Sequence, residues 1–89
     1  MGYSEAVKSV IYSRDALKVL GRMPVPMARR IKGKVAAYAA DPASQANNVT
    51  ALQGRPSIRL RVGDWRVIVN ERGQVLDVVQ IGPRGGIYD

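Results

Sequence analysis

Neither cysteine nor histidine occurs among the 89 residues. That excludes a disulfide framework, a thiolate nucleophile and any Cys/His metal site. The seven carboxylates are scattered along the chain and make a poor cage for a hard cation, so neither a metal nor another cofactor is expected. There is no run of 18 apolar residues, hence no transmembrane helix, and no membrane role is expected. The opening MGYSEAVKSV holds Glu5 and lacks a long apolar stretch, which argues against a signal peptide and for a cytoplasmic protein. Low-complexity segments, internal repeats and linkers are also missing, so residues 1–89 read as a single domain. A chain of this length buries about 60–65% of its unfolded surface, enough for one core.

What the chain has in excess is positive charge. Fourteen Lys/Arg stand against seven Asp/Glu, a net +7, and ten of the fourteen are arginine. The planar guanidinium pairs bidentately with phosphate, where lysine offers a point charge. Polyanions lead as a partner class. A basic surface kept for solubility, or for an acidic protein, accounts for the same number.

Patterning gives the order β-α-α-β-β-β, an α+β chain with a small antiparallel-rich sheet on a helical hairpin. Ser9-Val10-Ile11-Tyr12 reads as a short strand. Ser13 then caps a helix with apolar positions Ala16, Leu17, Leu20 and Met23. Pro24 and Pro26 end it and start a second helix from Pro26 to Ala40. There Met27, Ile31, Val35 and Tyr38 form one buried stripe. Asp41 to Pro56 reads as a loop, with Leu52 an anchor into the core. Three strands follow. The alternation puts Ile58, Leu60, Val62, Trp65, Val67 and Val69 toward the core. Gly63-Asp64 turns the chain, and Gly73 supplies a positive φ in the next hairpin. Val75 to Ile81, apolar on both faces apart from Asp77 and Gln80, suits a strand inside the sheet.

That alternation sends Arg59, Arg61 and Arg66 to the far face. Like charges on neighbouring strands are destabilising unless an anion or carboxylate sits among them. The tail GPRGGIYD can bring Arg84 and Tyr88 to the edge of the same face. Arg29, Arg30, Lys32 and Lys34 ride the second helix, and with Arg55 they form a candidate RNA-binding flank. Spacing alone leaves two readings open, a solvated arginine-rich face or an anion site.

The early strand ending at Ser13, the helical hairpin, LQGRPSIRLRVGDWRVIVN and VVQIGPRGGIYD together resemble the RelE/ParE superfamily of toxins from bacterial toxin–antitoxin pairs. The RelE branch is favoured. The resemblance implies a microbial ribonuclease-like fold and an endoribonuclease, an mRNA interferase that enters the ribosomal A site and cuts messenger RNA. Its implied partners are the ribosome, mRNA and a cognate acidic antitoxin. By the same resemblance Arg59 and Arg61 match second-strand basic positions, Arg66 the third-strand arginine, and Arg84 with Tyr88 the C-terminal pair around the scissile phosphate. The alternative is a ParE-like toxin, which shares the fold, lacks the nuclease constellation and acts on DNA gyrase. Two departures stand out. Ser57 occupies a position where a RelE-type nuclease often has a basic residue, and Arg59 replaces an expected lysine.

Overall fold

The computed structural model describes residues 8–52 and 57–85. Within them β1 (Ser9–Tyr12) leads into α1 (Arg14–Arg22) and α2 (Val25–Ala40). A short 3-10 segment (Pro42–Asn48) precedes β2 (Val49–Ala51), β3 (Ser57–Val62), β4 (Trp65–Arg72) and β5 (Val75–Pro83). The five strands make one mixed sheet in the order β1-β5-β4-β3-β2. β1 pairs parallel with β5, and the remaining pairings are antiparallel. No helix among the described residues is long and apolar enough to cross a membrane.

Local chemistry sets the boundaries. Ser13 Oγ accepts from Ala16 N at 3.0 Å and so caps α1. The same hydroxyl donates to Val79 O at 3.0 Å, tying the start of α1 to β5. Pro26 lies in the first turn of α2, where its missing N–H costs nothing. Gly63 and Gly73 each open a two-residue hairpin loop at φ +59°, a conformation L-residues avoid.

The core lies between the helices and one face of the sheet. Ala16, Leu20, Met23, Ile31, Val35, Tyr38 and Ala39 meet Leu60, Val62, Val67, Val69, Leu76, Val78 and Ile81. Trp65 packs half-buried against this cluster. Leu17, expected on the buried side of α1, is 52% exposed. Met27 is only half-buried.

Asp41 to Pro56 is not the loop that its Asn and Gly content suggests. Its described part holds the 3-10 segment and β2, which hydrogen-bonds along the β3 edge, Val49 opposite Leu60 and Ala51 opposite Ile58. Three residues are too few for an alternating pattern to declare itself. Leu52 is buried, as expected of an anchor, but in a second cluster with Ile68. Ile68 lies on the face away from the helices, so Leu52 closes that face and not the main core. Its amide donates to Ser57 O at 3.0 Å, which continues the β2–β3 ladder.

β5 carries a bulge. Ile68 pairs with Gln80 and Val69 with Val78, so Val79 is an extra residue. The core positions of β5 therefore run Leu76, Val78, Ile81, a step of two and then three. Past the bulge, Gln80 and Gly82 share the far face with Ile68 and Arg66.

Candidate functional site

Across the far face the register stacks side chains in rows. Thr50, Arg59, Ile68 and Gln80 form one row. Arg61, Arg66 and Gly82 form the next, with Asn48 beyond the end of β2 on its outer side. Arg61 and Arg66 are direct cross-strand neighbours, a pairing that repels in isolation.

Their hydrogen bonds pull the two guanidinium groups apart. Arg66 Nη1 donates to Gly63 O and to Trp65 O, each at 3.0 Å, which turns it toward the β3–β4 hairpin loop. Arg61 Nη2 donates to Asn48 Oδ1 at 3.3 Å, which turns it the other way, toward the 3-10 segment. Among the described residues both sets of hydrogen-bond partners are neutral oxygens. Between them opens a polar cavity of about 180 Å³ lined by Asn47, Asn48, Thr50, Arg59, Arg61 and Arg66. That is below the ~300–1,000 Å³ of drug-sized ligand sites and suits a small polar anion or one polar fragment of a larger ligand.

Arg84 joins from β5. Its amide donates to Asp64 O at 2.7 Å, one step beyond the Trp65–Pro83 pair. The bulge at Val79 puts Arg84 in phase with Gly82 and Arg66. A strictly alternating β5 would place Ile81 on the arginine face and Arg84 on the core side. Arg59, Arg61 and Arg66 thus share one face, and Arg84 follows at the end of β5, beside the β3–β4 hairpin loop.

The helical flank behaves differently. α1 and α2 cover the opposite face of the sheet, so Arg29, Lys32 and Lys34 are not brought to the cavity. Arg30 does not line the cavity either but comes nearer. A Cβ on Gly63 would lie 3.5 Å from its Nη1, so this guanidinium reaches the loop whose carbonyl holds Arg66. Tyr88 and Arg55 fall outside the described residues. Sequence reasoning missed Asn47, Asn48 and Thr50, which contribute half of the cavity lining. Their only signal was the Asn-Asn pair, which reads equally well as turn chemistry.

Two carboxylates of β4 and β5 are committed elsewhere. Asp77 accepts from Arg72 Nε at 3.0 Å and Nη2 at 3.2 Å, and this hydrogen-bonded pairing raises the Arg72 pKa above its ordinary value. Glu71 Oε2 accepts from Tyr38 Oη at 3.3 Å. Burial, followed by the charge and hydrogen bond of Glu71, pushes the Tyr38 phenol upward. Neither carboxylate lines the arginine cavity.

No protein-family model matches the chain, and no curated protein does. Solved structures do. The toxin fold of an archaeal RelE–RelB complex from Pyrococcus horikoshii superposes with a TM-score of 0.75 at 25% identity. The match covers 91% of this chain and 99% of that one. The E. coli RelBE toxin–antitoxin complex gives 0.71 at 17% identity, over 86% of this chain and 96% of that one. The RelB–RelE complex of Methanococcus jannaschii gives 0.70 at 19%, over 89% and 95%. The expected α+β fold is therefore the observed one, and the chain is RelE-like over nearly all its length.

Proposed function

We propose that this RelE-like chain is the toxin of a toxin–antitoxin pair and a ribosome-dependent endoribonuclease acting on messenger RNA in the cytoplasm. The observation that carries the reading is the arginine face: Arg59, Arg61 and Arg66 in register around an open polar cavity, with Arg84 following at the end of β5. Arg61 and Arg66, direct cross-strand neighbours of like charge, are costly to a fold unless an anion visits them.

The chemistry those residue types support is internal transesterification. The ribose 2′-oxygen forms a bond to the adjacent phosphorus, the bond from phosphorus to the 5′-oxygen breaks, and a 2′,3′-cyclic phosphate remains. The 2′-hydroxyl proton passes to a base, and the departing 5′-oxygen takes up a proton. Arg66 and Arg84 hold the non-bridging oxygens, where negative charge builds in the phosphorane. Tyr88, assigned by the resemblance alone, accepts the 2′-hydroxyl proton. Arg59 and Arg61 neutralise the leaving oxygen, although a guanidinium gives up a proton reluctantly. An arginine where a lysine is expected points to slow turnover.

The antitoxin in this reading is an acidic protein whose charge complements the arginine face and speeds association. Primer extension on mRNA from cells expressing the chain tests the whole proposal. Discrete cuts inside translated codons are expected, and they disappear in Arg84→Ala and Tyr88→Phe. Growth arrest that persists in Tyr88→Phe, with intact mRNA and an induced DNA-damage response, would overturn it in favour of gyrase as the target.

A further inference from the structure

We propose that Asn48 is a positioning residue that holds Arg61 on the 3-10 side of the cavity, facing Arg66, and that the 3-10 segment is therefore a working part of the RNA site. The inference rests on the RNA-cleaving reading above and assigns a role to a stretch of chain that reading does not use.

A chain of hydrogen bonds runs from the end of α2 to the arginine. Ser44 Oγ donates to Asp41 O at 2.7 Å. Gln45 Nε2 donates to Ser44 Oγ at 3.4 Å. Asn48 Nδ2 donates to Gln45 Oε1 at 3.4 Å, and Asn48 Oδ1 accepts from Arg61 Nη2 at 3.3 Å. Gln45 is the one buried polar side chain among the described residues, so the relay is anchored on a residue that cannot swing into solvent. Both ends of the Asn48 amide are in use. Its donor end faces Gln45, which leaves the oxygen end for the guanidinium.

The geometry matters because Arg61 stands directly opposite Arg66. Without a partner on the 3-10 segment, Arg61 is an exposed, rotamer-rich side chain repelled by its neighbour, and it has no reason to stay at the cavity. With Asn48 in place the two guanidinium groups are held on opposite sides of a space that one phosphate can enter. Asparagine suits this task better than aspartate. A carboxylate would grip Arg61 more strongly, but it would lose the donor to Gln45 and set a negative charge against the incoming phosphate.

The test uses the full chain and a fluorescein-labelled, 2′-O-methylated RNA oligonucleotide, which binds without being cut. Asn48→Ala is expected to weaken binding about 5-fold with Arg61 present and under about 2-fold in an Arg61→Ala background, the signature of coupled residues. An equal loss in both backgrounds overturns the proposal. ¹⁵N spectra of the Arg61 guanidinium give a readout independent of RNA. Slow rotation in the wild type should become fast in Asn48→Ala and stay slow in Asn48→Asp. Unchanged rotation in Asn48→Ala overturns the proposal. Asn48→Asp should nevertheless bind RNA more weakly than Asn48→Ala, and tighter binding overturns the assignment. A wild type that fails to bind the oligonucleotide sinks the RNA reading, and the guanidinium spectra then decide the role of Asn48 alone.

Discussion

On one face of the sheet Leu60, Val62, Val67 and Val69 lie closed under two helices. On the other, β3 and β4 present Arg59, Arg61 and Arg66 around an open cavity. The same two strands supply both sets, residue by residue in alternation. One side is held by area removed from water, roughly 25 cal/mol per Å². The other side is held apart by repulsion and kept ordered by neutral oxygens from Gly63, Trp65 and Asn48. The covered face thus provides the stability that lets the arginine face exist, and substitutions one residue apart should have opposite consequences.

The largest test of this contrast is Leu60→Ala against Arg61→Ala. Leu60 is fully buried, and its truncation should cost about 2–5 kcal/mol in urea unfolding. Arg61 is exposed and sits opposite Arg66, so its removal should leave the urea midpoint level or slightly raised, within about 0.5 kcal/mol. Next comes Arg66→Ala, which should lower RNA cleavage about 10²–10³-fold in a ribosome-programmed assay while unfolding stays near wild type. Activity that survives at full strength would mean that the arginine face has another purpose.

Smaller effects probe what holds the covered face. Ser13→Ala removes the α1 cap and the bond to Val79 O, and should cost about 1 kcal/mol by urea titration. Tyr38→Phe loses the bond to Glu71, about 1 kcal/mol. This variant also carries a pH signature. The fold holds the Tyr38 proton more tightly than the unfolded chain does, through burial first and Glu71 second. Its contribution therefore persists below the ordinary value of 10.0 and declines as pH rises past it. Urea midpoints at about pH 8 and about pH 11 should fall more in the wild type than in Tyr38→Phe. Tyr12, also raised by burial, keeps part of the fall in both. Smallest of all is Arg72→Ala at the exposed pair with Asp77, where the midpoint should move within measurement error at moderate salt.

Alternation in β3 and β4, the Ser13 cap, the Ile31–Val35–Tyr38 stripe and the two glycine turns were all legible, because each is a short-range pattern with one physical cause. The arginine face followed from the same period of two. Three features were not legible, each depending on a distant partner. The Val79 bulge is a mismatch between two strands, and a period read along β5 alone sends Arg84 to the wrong side. β2 is defined by the β3 edge that it pairs with, and its Val-Thr-Ala carries no pattern of its own. Asn48 became visible only once the sheet had set Arg61 beside it. The basic residues of α2 misled for a related reason. Charge counts carry no direction, and the helices pack on the face away from the cavity.

β1 and β5 join the two ends of the chain, with Ser9 paired to Val75 and Tyr12 to Val78. β5 lies inside the sheet, between β1 and β4, although it follows all four other described strands in the chain. During synthesis, then, Val10 and Tyr12 wait for a partner more than sixty residues away, and α1 waits for the Val79 carbonyl, 66 residues from Ser13. Such long-range closure slows folding among domains of this size. It also sets a clock. Arg84 reaches its place beside Asp64 only after β5 has docked, so its arrival and the closing of the core over Leu76, Val78 and Ile81 belong to the same step.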